Sequence, residues 1–189
     1  MCTTALRSYE PFRREKAGWA DGPWRDEADK QQWIDESTGL DAMYRRCTDG
    51  GYLCGYVGVE QGHPLFGWRH DAIPTELGVT AHRGIDESGI CEGGDEAMAR
   101  CHVPEAGRPD DVWWLGFRCN HRGDLSPMDA HRDATGAIYA DVPYVKAQVG
   151  RLARALADVA APPPQLALPA PMIALPAPSF ERSVEPARA

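Results

Sequence analysis

The stretch "VWWLGFRC", residues 112–119, decides how the chain is read. It is rich in aromatic and branched side chains and free of proline, as strands are. Trp113, Leu115, Phe117 and Cys119 fall on one face, and Val112, Trp114, Gly116 and Arg118 on the other. Both faces are apolar for most of their length, so this should be a central strand covered on both sides. It runs straight into "NHRGDLSP", residues 120–127, where polar chemistry begins abruptly.

The layer that covers the strand is sought next. "DVPYVKAQVGRLARALADVA", residues 141–160, reads as one long helix. Asp141 is a good N-cap, and Pro143 suits the first turn. Val145, Val149, Leu152, Leu156 and Val159 recur at helical spacing and form one apolar stripe. Upstream, Asp49-Gly50-Gly51 supplies the positive φ angles of a tight turn, which predicts a hairpin with strands at about 42–48 and 52–59. Residues 21–40, with Pro23, Trp24 and Trp33, predict a short helix ended by Gly39. "TELGVTAH" predicts a strand over 77–82, "MARCHVP" one over 98–103, and the acidic 83–96 a surface loop. The expected fold is α+β: an antiparallel sheet with one long C-terminal helix packed on it and irregular loops.

Composition bounds the rest. The 189 residues suffice for one domain with a sizeable core. Residues 1–21 read as a loosely ordered N-terminal segment, 22–160 as the domain, and 161–189 as a Pro/Ala-rich disordered tail in which "ALPAP" occurs twice. A net charge of −8 argues against bulk nucleic-acid binding, while leaving room for a local pocket for a small anion. No apolar run reaches the roughly 20 residues of a membrane span, and "MCTTALRSYEPFRREK" lacks the apolar core of a secretory signal. A cytoplasmic location follows as the expectation. In that compartment Cys2, Cys47, Cys54, Cys91, Cys101 and Cys119 should be reduced thiols, since no C-x-x-C pair suggests a closed zinc site.

If strands 77–82, 98–103 and 111–119 form a meander, His82 and the His121/Asp124 turn end on the same sheet edge. Two imidazoles and a carboxylate can hold a divalent metal with open positions, or act as acid and base without one. His82, His121 and Asp124 are therefore the catalytic and metal-ligand candidates. Arg83, Arg118 and Arg122 are candidates for gripping phosphate, because guanidinium meets it bidentately. Trp114 and His63 are ligand-contact candidates, against the plainer readings of strand packing and a His63-Pro64 turn. No phosphate loop, H-E-x-x-H or G-x-S-x-G motif is present.

At "GPWRDEADKQQWID", "GYVGVEQGHPLFG", "CHVPEAGRPDDVWWLGFRCNHRGDLSP" and "YVKAQVGRLARAL" the chain resembles a family of uncharacterised proteins from tailed phages and prophages, whose pattern includes W-W-F-G-F-D-C-A-H-x-G-D. The matching positions include His63, Pro64, His82, Gly84, Trp113, Trp114, Cys119, His121, Gly123 and Asp124. The chain departs at Arg83, where the pattern has Gly, at Arg118, where it has Asp, and at Asn120, where it has Ala. The resemblance implies a phage accessory protein made in the bacterial cytoplasm. With the residues above, it sets the expectation of a protein that handles a small anionic ligand, such as a nucleotide signal, in a sheet-edge pocket. Metal-assisted phosphodiester hydrolysis, sequestration without catalysis, and binding to a host protein are the three modes weighed.

Overall fold

The computed structural model describes residues 6–101, 111–130 and 136–160. Within them lies a six-stranded antiparallel sheet: β1 (Arg7–Tyr9), β2 (Lys30–Ile34), β3 (Asp41–Arg46), β4 (Leu53–Val59), β5 (Glu87–Ile90) and β6 (Trp113–Arg118). The spatial order is β1-β2-β3-β4-β6-β5. One helix, α1 (Val142–Ala160), lies across β3 and β4. The α+β architecture expected from the sequence is the one observed.

The hairpin forms where the turn chemistry places it. Gly50 and Gly51 both have positive φ, and β3 and β4 pair from Asp41↔Gly58 to Arg46↔Leu53. β4 is buried along its whole length, and β6 pairs with it from Cys54↔Arg118 to Val59↔Trp113. Both strands therefore lie inside the sheet, with β4 next to its centre and β6 between β4 and edge strand β5, and both are covered on their two faces for most of their length. On one face Leu53, Val57, Leu115 and Phe117 meet Val145, Val149, Leu152 and Leu156 of α1. Burying each such side chain contributes about 1.5–3 kcal/mol. Gly55 permits the close approach: a Cβ there would stand 2.4 Å from the Phe117 ring and 2.7 Å from Val149. Helix α1 starts at Asp141, whose Oδ1 accepts from the Tyr144 N–H at 2.9 Å, and Glu27 Oε1 accepts from the Val142 N–H at 2.9 Å. Two amide donors that a helix N-terminus leaves open are thus satisfied.

The other face carries Met43, Tyr52, Cys54, Tyr56 and Trp114. Residues 91–101 lie over it. Lys30 Nζ donates to Glu96 O and Ala99 O, Arg45 Nη1 donates to Met98 O at 3.0 Å, and a Cys91–Cys101 disulfide closes the segment. That bridge corrects the expectation of six reduced thiols. Among the described residues Cys47, Cys54 and Cys119 are free.

Several local readings differ. Residues 21–40 form a 3-10 turn at Pro23–Arg25 and then β2, not a helix. Lys30 and Gln32 are buried there, because the carbonyls of 96, 99 and 101 receive their polar ends. The strand expected over 77–82 is absent. Thr75–Leu77 is a 3-10 turn capped by Gly78 at φ 66°, which breaks the alternation. Residues 98–101 form turns and bends, and 102–103 lie outside the described residues. The acidic 83–96 is not merely a loop, since it supplies edge strand β5, paired with β6 from Glu87↔Gly116 to Ile90↔Trp113. The segment expected to be loose at 1–21 supplies β1 and a buried Lys16, which pairs with Asp29 at 2.6 Å. The tail expected to be disordered at 161–189 lies outside the described residues.

Candidate metal centre

Two tight turns build the site. In the first, Gly84 N–H donates to Ala81 O at 2.9 Å, with His82 and Arg83 between them. Arg83 takes φ 54°, the one described non-glycine residue with positive φ. In the second, Asp124 N–H donates to His121 O at 2.9 Å, and Gly123 takes φ 95°. A main-chain bridge between Asp124 and Ile138, with Leu125 N–H on Ile138 O at 2.9 Å, holds the second turn near the start of α1. A Cβ on Gly123 would stand 3.5 Å from Arg83 Nη2, so the two turns face each other.

His82, His121 and Asp124 converge between them. One ligand-capable atom from each lies within 4.8 Å of the others. His82 Nε2 is 2.9 Å from Asp124 Oδ2, and its Nδ1 is 2.8 Å from the Tyr144 hydroxyl. The side chains of His82 and Asp124 are each only 6% exposed. Asp124 Oδ2 also accepts from the His121 N–H at 2.8 Å, and the other carboxylate oxygen faces Arg83 Nε at 3.6 Å. His121 Nδ1 is 3.5 Å from Asp124 Oδ2, is buried, and makes no hydrogen bond. Its Nε2 faces Asp86 Oδ2 at 3.3 Å. Burial raises the Asp86 carboxyl above its ordinary range against the pull of Arg118 and His121. Burial, with Cys119 and Asp124 nearby, likewise raises the Tyr144 hydroxyl.

These atoms suit one cation. Bonds of about 2.0–2.2 Å to N and O ligands allow ligand atoms up to roughly 4.4 Å apart, and Asp124 Oδ2 lies 2.9 Å from His82 Nε2 and 3.5 Å from His121 Nδ1, within that reach. Metal-bound imidazoles usually offer their second nitrogen to a carboxylate, carbonyl or other partner. Asp86 on His121 and Tyr144 on His82 fill those positions. A cavity of about 460 Å3 opens beside the cluster, lined by His82, Arg83, Asp124, Ile138 and Tyr144 among others.

The other candidates sit elsewhere. Arg118 belongs to the opposite sheet face and reaches the site only through Asp86, at 3.5 Å. Arg122 is exposed in the second turn. Trp114 is 1% exposed and packs in the cluster with Met43 and Tyr56, on the sheet face away from α1. His63 is a fold element: its Nδ1 accepts from the Leu65 N–H and its Nε2 bonds the Leu156 carbonyl, both at 3.0 Å. The meander that motivated the site does not form, and the convergence comes instead from β6 and the two facing turns. Tyr144 and Asp86 went unread as site residues. Tyr144 was open to prediction, since it stands in the first turn of α1 beside the apolar stripe.

The chain matches no protein-family model, no curated protein and no solved structure.

Proposed function

We propose that the protein binds a divalent metal through His82 Nε2, His121 Nδ1 and Asp124 Oδ2, and hydrolyses a phosphate ester in a small ligand, with a nucleotide as the substrate class. One observation carries this reading: His121 Nδ1 is buried without a hydrogen bond, facing the other two ligand atoms, while Asp86 sits behind the same ring. An unpaired buried ring nitrogen costs about 1–3 kcal/mol, a cost that coordination removes. A cation there supplies a Lewis acid and water made acidic enough to attack at neutral pH. The chain's own groups do the rest. Arg83, half-exposed on the cavity wall, meets the phosphate as a charged hydrogen-bond donor. Tyr144 holds His82, and Asp86 holds His121, in the orientation that presents their ligand atoms. On this reading the protein is a phage-type accessory factor acting on a nucleotide signal in the bacterial cytoplasm, in keeping with the tryptophan-rich motif.

A second reading has its own support. Both nitrogens of His82 already have protein partners, an arrangement that also suits a pocket that binds an anion and cuts nothing. Metal analysis and turnover separate the two. The first reading expects one zinc or manganese per chain, lost in His121→Ala, and metal-dependent cleavage of bis(p-nitrophenyl) phosphate or a cyclic nucleotide. No stoichiometric metal, with a nucleotide recovered unchanged from a complex weakened by Arg83→Ala, selects the second. Wild-type protein that takes up neither metal nor nucleotide would remove both.

A further inference from the structure

At the end of β6 away from the candidate metal centre, apolar side chains are left at the surface. Trp113 opens β6, and the ladder sets Ile90 of edge strand β5 directly opposite it, so the two side chains share a sheet face. Trp68 is held against the same indole, its carbonyl accepting from Trp113 Nε1 at 2.9 Å. The Phe66 ring lies 6.3 Å from the Trp113 ring. Trp68 is 40% exposed and Ile90 61%, while Phe66 and Trp113 are half-buried. Three aromatic rings and one branched chain thus form a single apolar patch, and contiguous patches of this kind mark interaction sites. The loop that carries two of the rings is fixed. His63 Nδ1 accepts from the Leu65 N–H and its Nε2 bonds the Leu156 carbonyl of α1, both at 3.0 Å. Phe66 N–H donates to His63 O at 2.9 Å and Trp68 N–H to Leu65 O at 3.2 Å. The guanidinium of Arg69, next to Trp68 in the chain, is paired with Asp71 at 2.7 Å.

We propose that the patch of Phe66, Trp68, Ile90 and Trp113 is the docking site of the chain's own ALPAP repeats, residues 167–171 and 174–178, taken in extended form one at a time. Position supports this occupant. The His63 bond to Leu156 sets the end of α1 beside the aromatic loop, and Ala160 lines a cavity together with Gly62 and His63. α1 lies over β3 and β4, and β6 is the next strand, so the chain leaves α1 within about two strand spacings, roughly 10 Å, of β6. The six residues 161–166 precede the first repeat and can span about 19 Å at ~3.1 Å per residue, enough to reach the patch. Chemistry supports it too. Residues 161–180 carry no charge, which matches a patch whose neighbouring Arg69 is already paired. Proline-rich segments lose little entropy on binding in extended form, and aromatic-lined surfaces are what they dock on. A patch already in place adds no ordering cost of its own.

Proline substitution in the full-length chain tests this. Pro169→Gly, Pro171→Gly, Pro176→Gly and Pro178→Gly together keep length and charge and remove the extended preference. The indole N–H resonances of Trp68 and Trp113 should then move from their wild-type positions. A synthetic peptide of residues 165–180, QLALPAPMIALPAPSF, should return them when added to this variant. A short tether supplies an effective concentration on the order of 1 mM, so a peptide of Kd about 0.1 mM should bind wild type about tenfold more weakly than the variant. Trp68→Ala or Ile90→Lys, each at an exposed position, should abolish the peptide's effect on Trp113 in the proline variant. Indole resonances that stay in place in the proline variant overturn the proposal, as does equal peptide affinity for variant and wild type. Peptide uptake that survives both Trp68→Ala and Ile90→Lys places the peptide elsewhere and overturns it as well. A wild-type spectrum that changes with protein concentration between about 10 µM and about 1 mM makes the tail of a second copy the occupant, which rules out docking within one chain.

Discussion

Arg83 shows how much one backbone angle decides. Its φ of 54° is a conformation that costs a non-glycine residue about 1–2 kcal/mol. Glycine would adopt it freely, although it would add about 0.4–1 kcal/mol of unfolded-chain entropy. The contact with Asp124, at 3.6 Å and half-exposed, contributes little. Arg83→Gly should therefore leave the urea midpoint unchanged or slightly higher. If the guanidinium grips phosphate, the same change should weaken binding of a nucleoside monophosphate roughly ten- to hundredfold, since a charge-assisted hydrogen bond contributes about 1.5–3 kcal/mol. Isothermal titration beside urea unfolding measures both. Affinity equal to wild type would mean that the strain at this position serves something other than the anion.

The elements that were legible in the sequence are those whose burial has a simple period. Helix α1 could be read because Val145, Val149, Leu152 and Leu156 face one uniform layer, and the β3–β4 hairpin because its turn demands Gly50 and Gly51. β2 was hidden because its buried positions are polar, and β5 because it is a short, half-buried edge strand that opens on a charged residue. Lys30 and Gln32 point into main-chain carbonyls of a segment some 70 residues away in sequence, and Glu87 meets Arg100 at 2.6 Å. Strand propensity has no signal for partners of that kind. The polar residues of the site were legible by type and position on the chain, but the way they meet was not. Lys30 also makes a prediction of its own. Burial lowers its ammonium to about 8, so between there and its unfolded value near 10.4 the unfolded chain binds more protons than the folded one. Stability from this group must then rise with pH, by at most about 1.4 kcal/mol per unit. Wild type should gain on Lys30→Met from pH 8 to pH 10 in parallel urea melts, a comparison that cancels the titration of cysteines and tyrosines. A stability gap that stays constant over that range would show that the ammonium is not desolvated.

Across the whole molecule, one buried cation joins parts of the chain that the sheet alone would leave separate. The Arg46 side chain, wholly buried on β3, donates from Nε to Asp29 at 2.8 Å and from Nη2 to Glu27 at 3.0 Å. Its Nη1 reaches Gly51 O at 2.7 Å and the Tyr139 hydroxyl at 2.9 Å. Asp29 in turn holds Lys16, and Glu27 caps α1 through Val142. The N-terminal segment, the hairpin and the approach to α1 therefore share one set of charges, and Tyr139 lines the cavity beside the His82, His121 and Asp124 cluster together with Tyr144. Removing one member leaves its partners buried and uncompensated, which costs about 3–5 kcal/mol where a full replacement by apolar groups would not. Arg46→Met should lower stability by that amount in urea. It should also loosen the start of α1, so that amide exchange at Val142 and Tyr144 quickens more than exchange at Leu152. On the proposed metal reading, affinity for zinc or manganese should fall with it, because the Tyr144 hydroxyl bonds His82 Nδ1. A variant that loses stability uniformly, with exchange raised equally along α1, would mean that the cluster braces the core in general and does not transmit to the site.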